Sequence, residues 1–177
     1  MRYLLLLILL IINPAFAYVG FNVCNHGQET LDTVVCDGPG VLKQTTIKGN
    51  VQVSGTLQAS EIKANDLKVL GATELSDSSI SGEVNITGSL TADQVQFGKG
   101  VAVTSDKIIL KHTIINGTLI VTSPDTTPYI QVQCGSVIKG SVLFFGKPGV
   151  VQVTGDSVVQ GKIVNGATEF IKQDCNE

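Results

Sequence analysis

A short period runs through this chain and restricts what it can become. Val51-Gln52-Val53-Ser54-Gly55, Leu67-Lys68-Val69-Leu70-Gly71 and Val84-Asn85-Ile86-Thr87-Gly88 each read apolar, polar, apolar, spacer, glycine. The first apolar residues stand at 51, 67 and 84, and the series continues at Val101 and Leu119, giving coils of about 17 residues. One such unit cannot bury its apolar face alone, whereas stacked units can. The spacing therefore predicts an all-β, single-stranded β-solenoid (β-helix) over 47–170. Val51, Val53 and Leu57 should point inward and Gln52 outward. Leu67, Val69 and Leu75, then Val84, Ile86 and Leu90, should take the same places in the next coils. Gly55, Gly71 and Gly88 should stack at one corner, where the missing side chain permits a sharp bend. Ile62, Ile80 and Val95 with Phe97 supply another side. Coils of this length at ~3.3 Å per residue suit three short sides around a filled interior.

The ends depart from the repeat. Arg2, the apolar run Leu4 to Ile12, the break at Asn13-Pro14 and the small residues of Ala15-Phe16-Ala17 have the layout of a secretory signal peptide over 1–17, with cleavage before Tyr18. The run is too short for a membrane span, which takes ~20 apolar residues, so membrane contact is expected only during export. Residues 18–46 hold Cys24, Cys36 and the turn-forming Asp37-Gly38-Pro39-Gly40, and are expected to form a small N-terminal cap blunting the first coil's edge. Residues 171–177 form a tail. Export to the periplasm or outside the cell makes the four cysteines disulfide candidates. Proximity pairs Cys24 with Cys36 and Cys134 with Cys175. The first pair closes a loop of roughly a dozen residues, worth about 3 kcal/mol. A metal site from Cys24, His26 and Cys36 would lack a close Cys-x-x-Cys pair; no metal or cofactor is expected.

Composition narrows the partners. Lys plus Arg total 12 against 15 Asp plus Glu, for a net charge of −3. The single arginine, Arg2, lies in the segment expected to be removed. Arginine is the favoured residue for bidentate phosphate and guanine recognition, so nucleic acid is an unsuitable partner. Tryptophan is absent and aromatics make up 5% of residues, which leaves little for sugar-stacking platforms.

Beyond Lys107 the pattern thickens. Pro124-Asp125-Thr126-Thr127-Pro128 interrupts it and should project as a loop, a candidate interaction site, because the prolines remove ladder donors. The adjacent Phe144 and Phe145 must point to opposite faces. Gly155-Asp156-Ser157-Val158-Val159-Gln160-Gly161-Lys162-Ile163-Val164-Asn165-Gly166-Ala167 resembles the glycine-punctuated apolar repeats of bactofilins, polymer-forming β-helical cytoskeletal proteins, and Val84 to Ala92 is similar in style. The resemblance is one of rhythm, covers roughly 47–167, and implies a β-helix and filament formation. Bactofilins are typically cytosolic; the export signal and the cysteines set this chain apart.

No catalytic constellation emerges. His26 and His112 are the only histidines and lie far apart, and His112 beside Lys111 reads as an outward polar residue. The tight six-residue period of hexapeptide acyltransferases is missing. Asp66, Asp77, Asp93 and Asp106 follow the coils in step and read as turn residues. Asn85-Ile86-Thr87 and Asn116-Gly117-Thr118 match the N-glycan acceptor pattern, in repeats already rich in these residues. The row Gln52, Lys68, Asn85, Ala102 is not the threonine array of an ice-binding face. The expectation is an exported, non-catalytic structural or adhesive rod that associates with itself or with an envelope or extracellular protein. The alternatives are a carbohydrate-binding or carbohydrate-active protein using one solenoid face, marked by Asp66, Asp77 and lysines clustered in a groove, and a subunit of an envelope complex.

Overall fold

The computed structural model describes residues 23–172 and Cys175; the expected signal peptide lies outside them. Among the described residues there is no helix, and all strands belong to three parallel sheets of nine, eight and eight strands. The chain visits the sheets in turn, here called faces A, B and C, and winds into a three-sided stack. In one coil, face A is Leu57–Ser60, face B Lys63–Ala64 and face C Asp66–Val69. Each strand pairs with its counterpart one coil on, so Thr73 lies against Leu57 and Leu90, and Val84 against Leu67 and Val101. A parallel ladder between strands so far apart in sequence needs a crossover. Here the other two faces provide it.

Alternation does the sorting. Val51, Val53, Leu57, Leu67, Val69, Val84, Ile86 and Leu90 are all buried, while Gln52, Lys68 and Asn85 are exposed. The interior is one continuous apolar cluster from Val34 to Val153. The expected columns shift in one place. Leu57 is followed not by Leu75 but by Thr73, and Leu75 lies between Ala59 and Ala92. Thr73 is buried with its hydroxyl directed to the Gly71 carbonyl at 3.4 Å. Small and large residues thus alternate between neighbouring columns.

Gly55, Gly71 and Gly88 do stack, at the corner between faces C and A. A Cβ on Gly71 would meet the carbonyl carbon of Gly55 at 2.6 Å, and one on Gly88 would meet the carbonyl group of Gly71. Backbone cannot retreat there without breaking two ladders. Gly71→Ala should cost about 1–3 kcal/mol, read as a lower urea midpoint at constant slope; an unchanged midpoint would show that the corner is looser than described.

The corner between faces A and B follows another rule. Gln28, Gln44, Glu61, Asp77, Gln94, His112 and Cys134, one per coil, all have positive φ between 46° and 56°. One or two residues after this corner, in several coils, a hydroxyl turns into the stack and accepts a backbone N–H from the coil before. Ile62 N donates to Ser78 Oγ at 3.1 Å, Thr113 N to Ser136 Oγ at 3.0 Å and Ser136 N to Ser157 Oγ at 3.2 Å. These hydroxyls repair the ladder where the chain bends, since an unmet buried donor is costly.

The segment expected as a separate cap is itself a coil from Cys24 onward. Its strands Cys24–Gly27, Thr30–Leu31 and Val34–Cys36 pair in register with Gly40–Lys43, Thr46–Ile47 and Asn50–Val53. Its turn-forming residues sit at corners, so the architecture does not change at residue 46. At the other end the last strand, Gly166–Ile171, reaches the first residue of the expected tail.

Candidate functional site

Both expected disulfides are present. Cys24–Cys36 has its Cα atoms 5.7 Å apart and Cys134–Cys175 5.4 Å, within the ordinary span. Cys24 is on face A and Cys36 on face C of the first coil, so the first bridge crosses the interior and Cys36 is buried. The second joins the corner after Tyr129–Gln133 to the chain beyond the last strand.

Pro124, Asp125, Thr126 and Thr127 project from the corner between faces C and A, and Pro128 turns back into the structure. The loop is braced rather than loose. Ser123 Oγ donates to the Thr126 carbonyl at 2.8 Å, and the next coil's turn rests on it, with Lys147 N donating to Ser123 O and Val150 N to Pro128 O, both at 2.9 Å. Phe144 points inward against Gly149 and Gly166, where any Cβ would strike its ring. Phe145 points outward and is 55% exposed.

The candidate chemical residues do not converge. Asp66 lies at the corner between faces B and C, where its Oδ1 accepts the Glu83 N–H at 2.7 Å. Asp77 and Asp93 lie at the A–B corner and Asp106 at the C–A corner. His26 Nδ1 meets Glu29 Oε1 at 2.7 Å and His112 Nδ1 meets Asp93 Oδ1 at 3.0 Å, both on the surface. No group of three His, Cys, Asp or Glu that could hold a metal ion occurs among the described residues. Asn85 and Thr87 are exposed on face C, whereas Asn116 is occupied, its Nδ2 donating to the Phe97 carbonyl at 3.1 Å.

Two of the concave features among the described residues bear on function. A groove of about 780 Å³ runs along the A–B corner, lined by Glu61, Lys63, Asp77, Ser79, Gln94 and Gln96. It opens where a side-chain ladder stops: Gln28 Nε2 donates to Gln44 Oε1 at 2.9 Å and Gln44 Nε2 to Glu61 Oε2 at 3.2 Å, but Glu61 and Asp77 are both carboxylates and neither has a donor to carry the ladder on. The second is a hollow of about 290 Å³ at the C-terminal end, lined by Val153, Val158, Val159, Ile163, Thr168 and Phe170. Phe170 stands in the column of the buried Val153 yet is 82% exposed. Local pattern does not reveal this open end, because Phe170 has the same inward parity as residues that are covered.

On the outer surface of face A, the Tyr129 hydroxyl donates to Glu169 Oε2 at 3.0 Å, and Gln152 Nε2 donates to the Tyr129 oxygen at 2.8 Å. The hydrogen bond to Glu169, followed by partial desolvation and the carboxylate's charge, raises the Tyr129 pKa above its ordinary 10.0. A raised folded-state value favours the neutral phenol, so its contribution is present below pH 10 and fades as pH rises through the shifted value. Spectrophotometric titration should show Tyr129 ionising later than a free tyrosine, and Glu169→Gln should move it back. Identical curves would contradict the contact.

Comparison with protein-family models, curated proteins and solved structures finds no match for the chain.

Proposed function

We propose that this protein is an exported, non-catalytic scaffold: a stiff rod that presents its corner loops to an envelope or extracellular partner and associates with itself through its C-terminal coil. The observation that carries this is the pairing of a filled interior with an unfinished end. The inner columns are buried and mostly apolar, with a few threonine and serine hydroxyls turned inward at corners, while Val158, Val164, Phe170 and Ile171 are exposed at the stack's close. Natural sheets blunt an edge of this kind with charge, proline or a covering segment, and an exposed apolar patch marks a contact site. Two disulfides agree with an oxidising compartment.

Cell fractionation with N-terminal sequencing tests export, and crosslinking followed by sedimentation tests scaffolding. The expected results are a mature chain starting at Tyr18 and assemblies or partner complexes outside the cytoplasm. An unprocessed cytosolic monomer would contradict the proposal.

The A–B groove favours a second function, the binding of a glycan chain along the rod. Coil stacking places its hydroxyl, amide and carboxylate groups at repeats of ~4.8 Å. Release of reducing sugar from envelope polysaccharide would replace the scaffold with an enzyme.

A further inference from the structure

The two ends of the stack differ in how they are held. Face A has one strand more than faces B and C, so the terminal strand Gly166–Ile171 begins a coil that no described B or C strand completes, and among the described residues its strand neighbour is Gly149–Thr154. All six of its residues are exposed. The column that is filled by Leu42, Leu75, Leu110 and Val132 lower in the stack ends in the uncovered Phe170. Two attachments supplement this single ladder. One is the surface contact of Glu169 with Tyr129 and Gln152. The other is the bond from Cys175, just beyond the strand, to Cys134.

The bond is placed to clamp. Cys134 occupies the positive-φ corner of its coil, and that corner one coil later is Gly155, also at positive φ. A Cβ on Gly155 would lie 4.0 Å from Cys175 Sγ, so a longer side chain would enter the path of the bridge. The polar column from Gln28 to His112 thus gives way to Cys134 and then to glycine beside Cys175. The bridge ties the last strand to the end of Tyr129–Gln133, two strands down face A.

We propose that Cys134–Cys175 is a redox latch on the open end: closed, it holds Gly166–Ile171 in place as the edge on which a second copy stacks; open, it lets that edge fray and stacking is lost. This rests on the proposed self-association and supplies its regulation. On closing, the two thiols release two protons and pass two electrons to a protein disulfide of the oxidising compartment, which becomes a dithiol as the S–S bond forms here. A dithiol reductant reverses the exchange. The two bridges differ in access, which governs exchange: Cys175 is exposed and Cys134 half-buried, whereas in the other bridge Cys24 is half-buried and Cys36 is 1% exposed inside the stack. Mild reduction therefore opens the latch and spares the inner bridge. A chain still in a reducing compartment does not stack, and export licenses the contact.

Hydrogen exchange and sedimentation velocity on the whole exported protein test the latch. Three samples are needed: oxidised, treated with graded phosphine reductant, and the double variant Cys134→Ser/Cys175→Ser, which leaves no thiol to crosslink. Exchange over 166–171 should accelerate roughly tenfold or more in the last two, with 108–121 unchanged, and assemblies should form only in the first. Equal protection of 166–171 in oxidised protein and double variant overturns the latch. Undiminished assembly of the double variant overturns its control of stacking and leaves stacking intact. A strict monomer in the oxidised sample overturns stacking itself, and the exchange comparison then decides whether the bridge holds the strand.

Discussion

Phe97→Ala is expected to lower the unfolding free energy by about 3–5 kcal/mol, the largest loss from any single side chain in the stack. Phe97 is fully buried and is the bulkiest of the most deeply buried residues. It stands between Ile80 and Ile115 in its column on face B. The distance between those neighbours is set by three ladders at once, so the coils cannot close over a missing ring and a cavity remains. Urea unfolding should show a lower midpoint with little change in slope. A loss below about 1 kcal/mol would mean that the ring is not packed as described.

Removing the inner bridge with Cys24→Ala/Cys36→Ala should cost about 3 kcal/mol, as expected for a cross-link spanning 12 residues. The effect should be local. In a solenoid each coil contacts only its neighbours, so hydrogen exchange should rise in the coil of Val34 to Cys36 and fall back to its original level within a few coils. Loss of protection along the whole rod would show instead that the first coil nucleates the stack. No change in either measurement would show that the bridge adds nothing to a coil already held by its ladders.

These two expectations rest on features that differ in how visible they were beforehand. Alternation identified Val51, Val53 and Ile86 as inward because a strand has only two faces, and the period placed the glycines of one corner above one another. Position within the column was harder. Leu57 and Leu75 look equivalent by hydrophobicity, yet the corner between them fixes the register and sets Thr73 opposite Leu57. The A–B corner was hidden because its positive-φ residues from Gln28 to His112 are Gln, Glu, Asp and His rather than glycine, and a polar residue there looks like any exposed one. The same disguise concealed the first coil, whose Gln28 is a corner residue of this kind. The candidate carboxylates were correctly separable as turn residues, because Asp66, Asp77 and Asp106 occupy three different corners. The open end depends on what covers a residue, and local pattern carries no record of that.

The central claim is that neighbours in space are one coil apart in sequence. Backbone nuclear Overhauser contacts between strands test it most directly. The account predicts parallel-strand contacts of Val84 with Leu67 and Val101, of Ile80 with Phe97, and of Ile130 with Ile108 and Val151. Antiparallel contacts between strands of one coil, such as Leu57–Ser60 against Asp66–Val69, would contradict it.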